Sequence, residues 1–139
     1  MQIQQIRVTN FRLLKDFSID LDKELSLIIG KNNVGKTSLL LVLDKFLGEN
    51  KNKFKFNDFN LDFQDELQKM MESPIVDEEV FNKCYSLTGI TMRIIIKYND
   101  DDDLSKIGNT VLMDLDEEKN FFTLGFDYTI DYESYCKMY

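Results

Sequence analysis

Histidine is absent from this 139-residue chain, proline occurs once and cysteine only twice. Cys84 and Cys136 stand 52 positions apart, match no metal-ligand spacing and have no histidine to complete a set, which argues against a structural zinc centre. Two such cysteines read as reduced, buried or incidental thiols. No apolar stretch approaches the roughly 20 residues of a membrane span. The opening MQIQQIRVTN also lacks the apolar core of a signal peptide, so the expected setting is cytoplasmic, away from membranes. Internal repeats and long flexible linkers are missing. So is the Asn-Lys-x-Asp guanine motif, since none of Asn50-Lys51, Asn52-Lys53 and Asn82-Lys83 has an aspartate two positions after the lysine. Arginine is confined to Arg7, Arg12 and Arg93, too few for the arginine clamp of a small-molecule kinase.

A hydrophobic content of 43%, with 12% aromatic residues, is enough to bury a core, and the length fits one domain. The net charge of −8 hides a division along the chain. Residues 1–60 carry ten Lys/Arg against seven Asp/Glu, net +3, and residues 61–139 carry seven against eighteen, net −11. In the basic part, Lys45, Lys51, Lys53 and Lys55 interleave with Phe54 and Phe56. That composition suits contact with nucleic-acid phosphates and bases. It better suits a solvated lysine-rich connection with two rings tucked into the core, the reading the sequence favours. The acidic remainder argues against strong DNA binding by this piece alone.

Against these absences, residues 30–37 read Gly30-Lys31-Asn32-Asn33-Val34-Gly35-Lys36-Thr37, a complete G-x-x-x-x-G-K-[ST] phosphate-binding loop. It follows the apolar run Leu25-Ser26-Leu27-Ile28-Ile29, which reads as a buried strand. Glycines at both ends let the backbone point successive N–H groups at phosphate oxygens. Lys36 supplies a mobile charge for the β- and γ-phosphates, the Thr37 hydroxyl is placed to coordinate Mg²⁺, and Ser38 can bond an α-phosphate oxygen. A helix then begins, with Leu39, Leu40, Leu43, Phe46 and Leu47 expected on one face until Gly48 ends it. Its positive end points at the phosphates.

Elsewhere, alternation predicts half-buried strands around Ile6 and Val8, at Phe17, Ile19 and Leu21, and over 88–98 and 121–130. Helices are expected over 61–72, ended by Ser73-Pro74, and within 77–86. The fold class is therefore α/β, a P-loop NTPase with added antiparallel strands. Two acidic clusters invite a catalytic reading. The run Asp100 to Asp103 lacks the alternation of a calcium loop and reads as a solvated turn. Val111 to Glu118 contains Asp114 and Glu117, but its apolar run is too short for a hydrolytic strand, so an exposed turn is expected there too.

The block from Thr9-Asn10-Phe11-Arg12 through Phe17-Ser18-Ile19-Asp20-Leu21 to the loop and Ser38-Leu39-Leu40 resembles the start of ABC-type ATPase heads of the RecF and SMC group. Within that group it is most similar to the overcoming-lysogenization-defect (OLD) family of ATP-dependent endonucleases. The strong match covers the first 48 residues or so. The resemblance implies a mixed sheet, ATP with Mg²⁺ as cofactors, Arg12 approaching the nucleotide phosphates, and ATP-driven association of two heads. It also implies action on DNA by the complete protein, in phage defence or repair. A signature motif, a Walker B strand and a Toprim nuclease domain are not found in residues 1–139. The chain is therefore expected to be the first lobe of a longer protein and, alone, to bind ATP with little turnover. A RecF- or SMC-like repair head and a non-hydrolysing regulatory or remnant module are the alternatives.

Overall fold

A computed structural model describes residues 1–24, 26, 35–48, 54–72, 77–85, 89–103, 105 and 120–137. The alternating segments form its sheet. Strand β1 (Gln2–Phe11) pairs antiparallel with β2 (Leu14–Asp20) and, on its other side, with β3 (Ile90–Lys97). Strand β3 in turn pairs antiparallel with β4 (Phe121–Tyr128), giving the order β2-β1-β3-β4. All four of these strands were expected. The sheet is antiparallel throughout the described residues, whereas a mixed sheet was expected. The strand expected at 25–29 lies outside the described residues apart from Ser26, whose hydroxyl accepts the Asp22 N–H at 2.7 Å.

Two local irregularities in β1 decide which side chains reach the core. A register shift between Ile3 and Gln5 inserts an extra residue, so Ile3 is 41% exposed while Ile6 and Val8 are buried. At the far end, Asn10 takes a left-handed conformation with φ 57°, and Phe11 is fully buried. Asparagine tolerates that region better than most residues. From β3, Ile90, Met92 and Ile94 join the same buried face, and from β4 Phe122 is buried with Leu124 and Phe126 packed beside it.

Helix α1 (Lys36–Leu47) adds Leu39 and Val42 to this core. The expected single face is corrected here: Leu40 and Leu47 are 67% and 52% exposed. At 100° per residue, Leu39, Val42 and the half-buried Phe46 form one stripe, and Leu40 and Leu47 form another, turned outward. Gly48 ends the helix by close approach, because a Cβ there would stand 2.4 Å from the Asp44 carbonyl oxygen. Phe54 is packed between elements, its ring 4.8 Å from Phe46, 4.6 Å from Tyr128 and 6.1 Å from Phe11. Those contacts take it out of reach of a stacked base, whereas Phe56 is 40% exposed.

The expected helices appear as α2 (Leu61–Glu72) and α3 (Glu78–Tyr85). A further one-and-a-half turns, α4 (Tyr132–Lys137), was not anticipated, being too short to show a period. Aromatic contacts and one hydrogen bond tie the three together. The Phe81 ring lies 5.5 Å from Tyr132 and 4.9 Å from Tyr135, and the buried Tyr135 hydroxyl donates to the Met70 carbonyl at 3.1 Å. No helix among the described residues is long and apolar enough to cross a membrane.

The packing makes a direct comparison possible. Met92→Ala, at a fully buried position, should cost about 2–5 kcal/mol. Leu40→Ala should stay within about 0.5 kcal/mol. Urea denaturation measures both, and equal losses would contradict the outward placement of Leu40.

Candidate nucleotide site and its buried aspartate

Of the expected phosphate loop, Gly30, Asn32, Asn33 and Val34 lie outside the described residues, and Gly35, Lys36, Thr37 and Ser38 lie within them. Gly35 caps α1 with φ 93° and ψ 0°. Its backbone is open chiefly to glycine, and a Cβ there would stand 2.8 Å from Leu14 Cδ2, so the leucine would have to move to admit one. Lys36 opens the helix half-buried, Thr37 is exposed and Ser38 is 6% exposed. The first turn contains no acidic residue, so the positive end of this 12-residue helix keeps its attraction for an anion.

Leu14, which packs on Gly35, follows directly on the Arg12-Leu13 turn between β1 and β2. That contact brings the Arg12 turn to the start of α1. Arg12 has φ 49°, a left-handed conformation costing a non-glycine residue about 1–2 kcal/mol. The cost is met by contacts on every side of the residue. Its N–H donates to the Asp58 carbonyl at 2.9 Å, and its own carbonyl accepts the Asn60 side-chain N–H at 2.6 Å. The guanidinium Nε and Nη2 both donate to Asp58 Oδ1, at 3.0 and 2.7 Å. The side chain is still 40% exposed, and its guanidinium carbon stands 5.5 Å from the Phe11 ring centroid.

Asp58 is the residue that the sequence reading missed. It closes a 3-10 turn (Phe56–Asp58) and is 2% exposed. Its Oδ2 accepts the Lys55 N–H at 2.9 Å and faces Lys45 Nζ at 3.0 Å. Burial pushes the carboxyl pKa up, but the Lys55 N–H, the Arg12 guanidinium and the Lys45 ammonium together outweigh burial and hold it below the ordinary carboxylate range. Lys45 is thereby drawn out of the expected solvated lysine stretch. Its side chain is 11% exposed and lies over the Phe54 ring at 5.3 Å. Lys51 and Lys53 lie outside the described residues. An Asn57-Asp58 pair signals only a turn; its partners are 46 positions back at Arg12 and 13 back at Lys45.

The expected solvated turn at Asp100 to Asp103 is present, with one addition. Asp102 caps it from the Asn99 N–H at 2.8 Å and takes the Met1 ammonium at 2.7 Å, and these bonds lower its pKa. Asp114 and Glu117 lie outside the described residues. Among the described residues, no group of three His, Cys, Asp or Glu side chains is arranged to hold a metal ion.

A sequence matching the phosphate-binding pattern thus leads into a helix start suited to anions, and the Arg12 turn is joined to that start through Leu14. The chain belongs to the AAA ATPase domain family, which it matches over residues 1–135. It is also similar to Endonuclease GajA of Bacillus cereus (strain HuB5-5), with 42% identity over 60 residues. That stretch is 42% of this chain and 9% of the relative, so the chain spans only a small part of that protein's length. Both findings support the resemblance to OLD-family endonucleases drawn from the sequence. Membership in an ATPase domain family brings with it a nucleotide and, in general, a divalent metal.

A depressed carboxyl pKa has a defined sign. The stabilisation from ionised Asp58 is fully present above the unfolded value, about pH 4, and is lost as the pH falls through the lower folded value. Asp58→Asn should therefore be less stable than the wild type at pH 7, and its urea midpoint should fall less steeply below about pH 4. Parallel pH profiles for the two proteins would show that the Asp58 charge is not what the fold uses.

Proposed function

We propose that residues 30–38 bind the phosphates of ATP, and that this chain is the ATP-binding lobe of a DNA-acting, OLD-like endonuclease. Gly30, Asn32, Asn33, Val34 and Gly35 supply backbone N–H groups, Lys36 the charge on the outer phosphates, and Ser38 a hydroxyl near the inner one. Arg12 takes the phosphate edge. The observation that carries the reading is the left-handed Gly35 cap leading into a helix whose first turn holds Lys36 and Thr37 and no acid. The exposed Thr37 hydroxyl suits a divalent ion, Mg²⁺ in this reading, shared with the phosphates. When bound, such an ion supplies charge neutralisation across the phosphate oxygens.

Adenine as the base, DNA as the substrate of the whole protein and association of two heads across the nucleotide are carried over from the family resemblance and from the relative's name. The inferred setting is the cytoplasm, where ATP and DNA are both at hand. Phosphoryl chemistry needs carboxylates that position water as well as a phosphate cradle. The cradle is written in the sequence of residues 30–38, and no Walker B strand is found in residues 1–139, so we infer ATP binding by this chain with little turnover.

Calorimetric titration of the 139-residue chain with ATP in the presence of Mg²⁺ tests the reading. Binding should be measurable, and Lys36→Ala should weaken it by at least about 100-fold, as loss of a charge-assisted phosphate contact requires. Unchanged affinity in Lys36→Ala would overturn it. Rapid phosphate release abolished by Lys36→Ala would keep the site and replace the binding module by a working ATPase.

A further inference from the structure

The helix of the phosphate loop and the Arg12 turn are separate pieces of chain, and one buried carboxylate fastens both. Asp58 Oδ1 takes two N–H groups of Arg12, and Oδ2 faces Lys45, ten residues into α1. Its own segment is in turn pinned to the end of β1. Asn60 N–H donates to the Asn10 carbonyl at 2.9 Å, Arg12 N–H to the Asp58 carbonyl at 2.9 Å, and Phe11 and Phe59 form a bridge between them. Both ends of the left-handed Arg12 residue are thus held by the 58–60 segment. A strained, over-determined backbone at a site is the signature of a side chain that must be held in one place.

We propose that Asp58 is a positioning residue for nucleotide binding: it fixes the Arg12 guanidinium in one orientation and joins the Arg12 turn to the loop helix through Lys45. This rests on the reading that residues 30–38 and Arg12 meet the phosphates. The chemistry of the fork explains how one carboxylate holds an arginine without consuming it. Nε and Nη2 are spent on Asp58, whereas Nη1 has no carboxylate partner among the described residues, and the side chain is 40% exposed. Arg12, Lys45 and Asp58 together leave one net positive charge, so the pairing orients the cation and does not cancel the attraction for phosphate. The opposite device, a latch in which Asp58 withholds Arg12 until phosphate displaces it, uses the same contacts. It makes the opposite prediction.

Affinity for ATP with Mg²⁺, measured on the 139-residue chain and five variants, separates them. Asp58→Asn should weaken binding about tenfold, Arg12→Ala about tenfold, and Asp58→Asn with Arg12→Ala no more than either alone, because the two act as one unit. Arg12→Lys keeps the charge at an exposed position but not the fork, and should bind about as weakly as Arg12→Ala. It keeps the test available if Asp58→Asn does not fold. Tighter binding by Asp58→Asn would establish the latch and overturn positioning. Additive losses in the double variant, or wild-type affinity in Arg12→Lys, would also overturn it. If Lys36→Ala abolishes binding while Asp58→Asn leaves it unchanged, the nucleotide site stands and this inference alone falls. A wild-type chain that binds no ATP overturns both.

Discussion

One buried carboxylate determines how the Arg12 turn, the 55–60 segment and α1 are put together. Taking an ionised aspartate out of water costs several kcal/mol, and it is tolerated only when the remaining lone pairs are all answered by well-placed donors. Asp58 has such a set: the Lys55 N–H closes its own turn, Lys45 comes from α1, and Arg12 from the turn between β1 and β2. Pulling three segments onto one charge fixes their relative positions more narrowly than apolar packing does, because hydrogen bonds have direction and dispersion does not. The hydrophobic layer beneath supplies the platform. Phe11, next to Arg12, and Phe54, next to Lys55, are packed edge to face, so the residues flanking the polar cluster are themselves held in the core.

The consequence for a phosphate site is preorganisation. An arginine on an open turn must lose about 2 kcal/mol of rotamer freedom when it meets an anion. Part of that loss is already incurred in folding when Nε and Nη2 are bonded to Asp58. The left-handed backbone at Arg12 follows from the same arrangement. It directs the guanidinium back toward the 58–60 segment, and the hydrogen bonds from that segment in turn hold the backbone in place.

What could be read from the residues divides along physical lines. The strands were legible because Ile6 and Val8 alternate with Gln5, Arg7 and Thr9, and Ile90 and Met92 with Thr91 and Arg93, and alternation is a local property of chain geometry. The phosphate-loop motif stands out in the sequence because it encodes backbone requirements directly; the part of it that the structure describes has Gly35 left-handed against Leu14 with a helix following. The outward turn of Leu40 and Leu47 was not. Seven large apolar residues in a 12-residue helix cover more than one face, and only the neighbouring sheet decides which stripe is buried. Asp58 was invisible for a related reason: its turn is local, but its charge partners are set by tertiary structure. The basic stretch around Phe54 was misjudged in part, since Lys45 leaves solvent to meet a carboxylate that composition alone could not pair with it.

The central claim is that a fixed arginine and a phosphate loop meet at one nucleotide. A crystal structure of the chain with a non-hydrolysable ATP analogue and Mg²⁺ tests it most directly. The account requires the phosphates to lie on the backbone amides of residues 30–38 with Lys36 against the outer ones, and Arg12 to reach them while keeping both bonds to Asp58 Oδ1. A nucleotide bound elsewhere, or an Arg12 side chain that reaches phosphate only after leaving Asp58, would contradict it.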